Sequence, residues 1–229
     1  MSKNKLWVYG CSFSQPYWDE RIEKHGVPRY KVEQGWPYIL SEKLNLELVD
    51  RSHEGSGWNV IAYSLEKDLL ESKISKDDMV IISPSYFIRT SFPEMITGET
   101  TEDEILRFIS RHSIPLDSIA LMNVERFTSK ILTLKNLGYK VYGWTWDSPS
   151  LNRSPYFDNP YLLKVKENLI PAPDGTYVWE DYVLSNTECM SIPGELKWNE
   201  EDDGGDSHFS IKGHKITAEQ MYNSIQKTK

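Results

Sequence analysis

Three short stretches of this sequence hold side chains whose types suit nucleophilic acyl chemistry. The first is Gly10-Cys11-Ser12-Phe13-Ser14, which follows the apolar run Lys5–Tyr9. A hydroxyl at a tight turn out of a strand stands above the sheet edge, close to backbone N–H groups that can hold an oxyanion. Ser12 would equally suit a helix N-cap. The second stretch is Asp206-Ser207-His208. A carboxylate two residues ahead of an imidazole can fix its tautomer and orientation while the other ring nitrogen faces a nucleophile. A loop turn beside a surface histidine would read the same way. The third is Asp50 to Asn59, DRSHEGSGWN, where Gly55 and Gly57 let the backbone approach another group closely and donate N–H bonds. Gly55, Gly57 and Asn59 are candidates for contact with an oxyanion or substrate, and a flexible turn would read the same way.

Cys11 is a rival nucleophile, because a thiolate beside Ser12 could attack in its place. Neighbours on an extended segment point to opposite sides, so a Cys11 that packs inward leaves Ser12 facing out. The remaining histidines, His25, His53, His112 and His214, read as structural, with His214 associated with the last helix.

These groups need a scaffold that brings both chain ends together. Lys5–Tyr9, Leu46–Val49, Met79–Ser83 and Lys140–Trp144 read as short strands, and Met79–Ser83 is fully apolar, as in a parallel sheet buried on both faces. Between them, Trp36–Leu44, Asn59–Glu71, Glu102–His112 and Asp117–Leu137 carry helical apolar spacing, and Lys212–Lys227 closes the chain. Residues 148–203 are rich in proline and poor in periodicity, and read as a long excursion from the core. Alternating strands and helices predict one α/β domain spanning residues 1–229, a three-layer α/β/α sandwich on a flavodoxin-like parallel sheet of four or five strands, with Lys5–Tyr9 central. Such sheets gather functional groups at the carboxyl ends of their strands.

Composition excludes other classes. The chain has 229 residues and a formal net charge of −8, which disfavours nucleic acid as the main partner. No apolar run approaches the ~18 residues of a spanning helix, so no membrane partner is expected. Two cysteines make neither a disulfide framework nor a metal motif. The N-terminus carries no secretory signal, so the expected location is the cytoplasm. Eight tryptophans and 13 tyrosines could fill the core or line a groove for sugar rings.

Taken together, Gly10–Ser14, the Gly55–Asn59 turn and Asp206-x-His208 resemble the conserved blocks of the SGNH/GDSL hydrolase family of serine esterases. The resemblance implies Ser12 as nucleophile, His208 as general base, Asp206 as its orienting acid, and Gly55 or Gly57 as an oxyanion donor, with no cofactor and no metal. The Asp-x-His spacing is similar to branches that act on O-acetylated polysaccharides and to phage-encoded relatives. Two positions depart from the family pattern. Cys11 stands where the family has aspartate, and the block after the third strand reads Ser83-Pro84-Ser85-Tyr86-Phe87-Ile88-Arg89, without the usual oxyanion asparagine. Ser83, Ser85 or Arg89 could donate in its place. Arg89 could instead anchor an acidic substrate or pair with a surface carboxylate. The implied activity is hydrolysis of a small carboxylic ester, with an O-acetyl group on a carbohydrate as one substrate. Acyl transfer by the same triad and a catalytically weak glycan-binding or virion-associated module are the alternatives.

Overall fold

Four short strands form the framework of the computed structural model, which describes residues 3–11, 14, 32–53, 56–84, 116–144, 165–175, 177, 179–186, 189 and 209–227. They are β1 (Lys5–Gly10), β2 (Glu47–Asp50), β3 (Met79–Ser83) and β4 (Lys140–Gly143), all parallel, in the order β2-β1-β3-β4. As expected, β1 is interior. The helices are α1 (Trp36–Leu44), α2 (Trp58–Leu70), α3 (Leu116–Asn136), α4 (Trp179–Ser185) and α5 (Ile211–Lys227).

Alternation along the strands divides the apolar residues between two cores, because successive side chains leave opposite faces of a sheet. Leu6 and Val8 of β1 with Met79 and Ile81 of β3 join Trp36 and Leu40 of α1 and Ala218, Met221 and Ile225 of α5. Trp7, Tyr9, Val80 and Ile82 join Trp58, Ile61 and Leu65 of α2 and Val124, Phe127, Ile131 and Leu134 of α3. The result is the predicted α/β/α sandwich. Among the described residues, no helix is long and apolar enough to cross a membrane.

Two local details lock the first core. Pro37 lies in the first turn of α1, and Asn45 ends that helix in the left-handed conformation at φ 56°. His214, buried within α5, accepts the backbone N–H of Trp36 on Nδ1 at 3.2 Å, satisfying a donor that the start of α1 cannot bond internally.

Residues 148–203 do not behave wholly as an excursion. Their described part inserts Ile170, Ala172, Trp179, Val183 and Cys189 into the first core and Val165 into the second. It reaches the sheet through a single parallel bridge, Gly143 to Leu169, and Trp179 Nε1 donates to the Ile170 carbonyl at 3.0 Å. A single bridge and short helical turns impose no period, so the sequence pattern does not report this packing. The expected helix Glu102–His112 lies outside the described residues.

Candidate active site

The strand order fixes where a site can form. From β1 the chain moves outward to β2, then crosses to β3 on the other side of β1, so the winding reverses between β1 and β3. In open α/β sheets ligands bind in the crevice above the carboxyl ends of the strands at this reversal. Gly10 and Cys11 leave β1 there, and Ser83 ends β3 directly beside Gly10 in the register.

The segment around Ser12 is anchored at both ends. The Ser14 N–H donates to the Cys11 carbonyl at 2.9 Å, and the Ser14 hydroxyl donates to Ser83 Oγ at 2.9 Å. Both serines are buried, at 0% and 1% exposure. Gly10 permits this arrangement: a Cβ there would collide with the Ser14 hydroxyl and come within 3.2 Å of Ser52 Oγ. Cys11 is fully buried in the core between the sheet and α1/α5, and neither cysteine is in a disulfide. Its thiol therefore packs inward.

The segment after β2 runs on beside β1. Arg51 N–H donates to Val8 O at 2.8 Å and His53 N–H to Gly10 O at 3.1 Å, which draws Ser52 against the end of β1. Arg51 is held from below: its Nε donates to Asp68 at 3.0 Å, and its guanidinium lies 5.7 Å from the centre of the Trp7 ring. Burial pushes Asp68 up, but hydrogen bonds from Lys73 and Tyr9 and the Arg51 charge outweigh it, so its pKa falls below the usual carboxylate value. Burial, followed by the Asp68 charge, pushes the Tyr9 phenol upward.

Asp50, the last residue of β2, accepts the Ser52 N–H at 2.8 Å. Burial raises its pKa to about 6, against opposing contacts from Ser52. The Ser52 hydroxyl lies near that carboxylate without completing a hydrogen bond to it. Gly57 then begins α2 in extended backbone (φ −87°, ψ 177°). Asn59 faces α3, where its Oδ1 lies 3.5 Å from Arg126 Nη1. The open groove of about 410 Å³ that includes this contact is lined by Trp58, Tyr63, Glu66 and Lys130 as well.

The exit from the Asp206-x-His208 stretch is pinned too. Phe209 is buried and stacks on Trp144, which directly follows β4, at 6.1 Å between ring centres. Ser210 N–H donates to Cys189 O at 2.9 Å, and its hydroxyl accepts the Gly213 N–H at 2.9 Å, capping α5. A Cβ at Gly213 would strike the Cys189 carbonyl, so the first turn of α5 rests directly on the chain after α4.

Of the residues expected to form the site, Gly57, Asn59 and Ser83 are described; Ser12, Gly55, Ser85, Arg89, Asp206 and His208 lie outside the described residues. Ser83 is held by Ser14 and Asn59 approaches Arg126, so the described arrangement commits neither side chain to the crevice. Sequence reasoning missed Asp50, Ser52 and Ser14. Their only sequence signal is position, just beyond the carboxyl ends of β2 and β1. Among the described residues no cluster of His, Cys, Asp and Glu could hold a metal ion.

No family model and no curated protein matches the chain by sequence. Solved structures do match its fold. A member of the lipolytic protein G-D-S-L family from Veillonella parvula aligns with TM-score 0.52 at 10% identity, over 96% of each chain. LAE5, an α/β hydrolase enzyme from the metagenome of Lake Arreo, aligns with TM-score 0.52 at 15% identity, over 99% of this chain and 96% of its own. A family two carbohydrate esterase from Clostridium thermocellum, in complex with cellohexaose, aligns with TM-score 0.51 at 12% identity, over 98% of this chain and 64% of its own. Strand order, the two-sided core and these likenesses agree: the chain has the α/β/α fold of the SGNH/GDSL hydrolases.

Proposed function

We propose that this chain is a serine ester hydrolase of the SGNH/GDSL family. The observation that carries the reading is that the chain flanking Ser12 and the chain leaving His208 are anchored at one edge of one sheet. Cys11 and Ser14 are fixed at the end of β1, and Phe209 is fixed on Trp144 at the end of β4. Only β3 separates those strands, a span of about 10 Å.

In the proposed reaction, His208 takes the proton of Ser12 as the hydroxyl oxygen attacks the ester carbonyl, and Asp206 holds the imidazole in the productive tautomer. The backbone N–H groups of Ser12 and of the Gly55–Gly57 turn receive the developing oxyanion. Collapse expels the alcohol with a proton from His208. Water, activated by the same imidazole, then releases the acid from the acyl-enzyme.

The finer reading of the substrate is an acetyl ester on a carbohydrate. Trp7, Trp36, Trp58, Trp144 and Trp179, the five tryptophans among the described residues, are buried, so these five serve the core. The motive for carbohydrate is the Asp-x-His spacing and the fold shared with the cellohexaose-bound esterase. Hydrolysis of p-nitrophenyl acetate tests the reaction. Ser12→Ala should lower kcat more than about 1,000-fold, and Cys11→Ala should leave most of it. The opposite ranking makes this a thiol enzyme. Acetate release from acetylated xylan tests the substrate class.

A further inference from the structure

We propose that Ser14 and Ser83 form a latch that positions the nucleophile-bearing segment, a role that rests on the hydrolase reading above. Three features carry it. The Ser14 hydroxyl reaches across the β1/β3 reversal to Ser83 Oγ at 2.9 Å, joining two strand ends 69 residues apart in sequence. Both side chains are essentially solvent-free, where a hydroxyl that loses its partner carries the full cost of desolvation. Gly10 has no room for a Cβ beneath the Ser14 hydroxyl, so close backbone approach at the end of β1 is what admits the bond.

The Ser14 main chain closes the same segment on its other side through Cys11 O at 2.9 Å. Ser14 thus makes one backbone hydrogen bond, to Cys11, and one side-chain hydrogen bond, to Ser83. Neither serine hydroxyl needs to touch substrate in this role. Ser83 acts through Ser14, and Ser14 acts through the backbone that carries Ser12. The block after β3 lacks the family's asparagine, and the latch gives its first residue a different task.

The test combines Ser14→Ala, Ser83→Ala, the double variant and Ser83→Thr. Active sites are counted by fluorophosphonate labelling, and amide exchange is followed in the peptide spanning residues 10–14. A latch predicts that each alanine lowers kcat per labelled site about 10-fold or more, with KM little changed, since small misplacements of a reacting group cost up to about 100-fold. It predicts faster exchange in that peptide, a double variant no worse than either single one, and substantial rescue by Ser83→Thr, which keeps the hydroxyl. Mere packing predicts the reverse: unchanged kcat per labelled site, additive losses of Tm, and a threonine worse than alanine because it overfills the site. Unchanged exchange in both single variants would overturn the latch. Wild-type protein that neither hydrolyses ester nor takes the label would sink the hydrolase reading, while the exchange arm still decides the latch.

Discussion

The two ends of β1 solve the same problem in opposite ways. At the amino end, the buried Asp78 takes three donors: Lys5 N–H at 2.8 Å, Trp7 Nε1–H at 3.1 Å and Ser75 N–H at 2.9 Å. Every one of those groups is committed. At the carboxyl end, polar groups are crowded but partly uncommitted. Among the described residues, Ser52 Oγ beside Gly10 and Trp144 Nε1 beyond β4 have no hydrogen-bond partner, and the Asp50 carboxyl is pushed up to about 6 by burial. A buried polar group without a partner costs on the order of 1–3 kcal/mol. A fold tolerates that cost where the group serves something other than stability. Thr128 Oγ1 of α3 also has no hydrogen-bond partner among the described residues, and the structure offers no such explanation for it. The amino end is closed by its own hydrogen bonds, whereas the carboxyl end is where the proposed site would gather its groups.

Substitutions can break that contrast. The largest effect is expected from Asp78→Ala, which orphans three donors and should cost about 3 kcal/mol, lowering Tm by about 10 °C. The rate per labelled active site should not change. If activity per site falls as far as stability, the two ends are not functionally separate. Gly10→Ala should show the converse. Its Cβ displaces the Ser14 hydroxyl, so kcat should fall about 100-fold, with a smaller loss of stability than Asp78→Ala. An alanine variant of wild-type activity would remove the crowding argument.

The smallest effect is a pH dependence at Asp50. The folded-state pKa of Asp50, about 6, lies above the ~3.9 of an unfolded aspartate, so the folded chain binds this proton more tightly. Ionised Asp50 therefore costs stability at neutral pH, and the cost disappears as pH falls from about 6 toward about 4. Asn at this position keeps an oxygen for the Ser52 N–H and removes the charge. Asp50→Asn should raise stability by about 1 kcal/mol at pH 7, a figure reduced for solvent screening at a carboxyl that is not fully buried, and by nothing at pH 4. Denaturant titrations at the two pH values check it, and an equal shift at both would assign the gain to packing.

Much of this framework is legible in the sequence because burial on both faces writes unbroken apolar runs, as in Met79–Ser83, whose predicted and observed limits coincide. The expected Trp36–Leu44 helix also coincides with α1. The second strand extends one residue past the expected Leu46–Val49, to Asp50. An ionisable residue closes that strand, and an apolar pattern cannot include it. The contribution of residues 165–189 to the core was hidden for a different reason. Ile170 and Ala172 are apolar but lie on irregular backbone, and Trp179 and Val183 share the seven-residue α4, too short for a helical period to stand out. The Ser14–Ser83 pair is invisible until β1 and β3 are known to be neighbours, since serine spacing alone specifies no contact. The Ser12, Asp206 and His208 assignment rests on motif likeness, and the structure contributes the anchoring of the chain around it.

Covalent labelling asks whether Ser12 is an activated nucleophile. Wild-type protein should take up one fluorophosphonate group, seen as a single mass increment on the intact chain. Peptide mapping should place it on Ser12, and Ser12→Ala and His208→Ala should both lose it. An adduct that survives Ser12→Ala, or no adduct on the folded wild-type chain, would contradict the account.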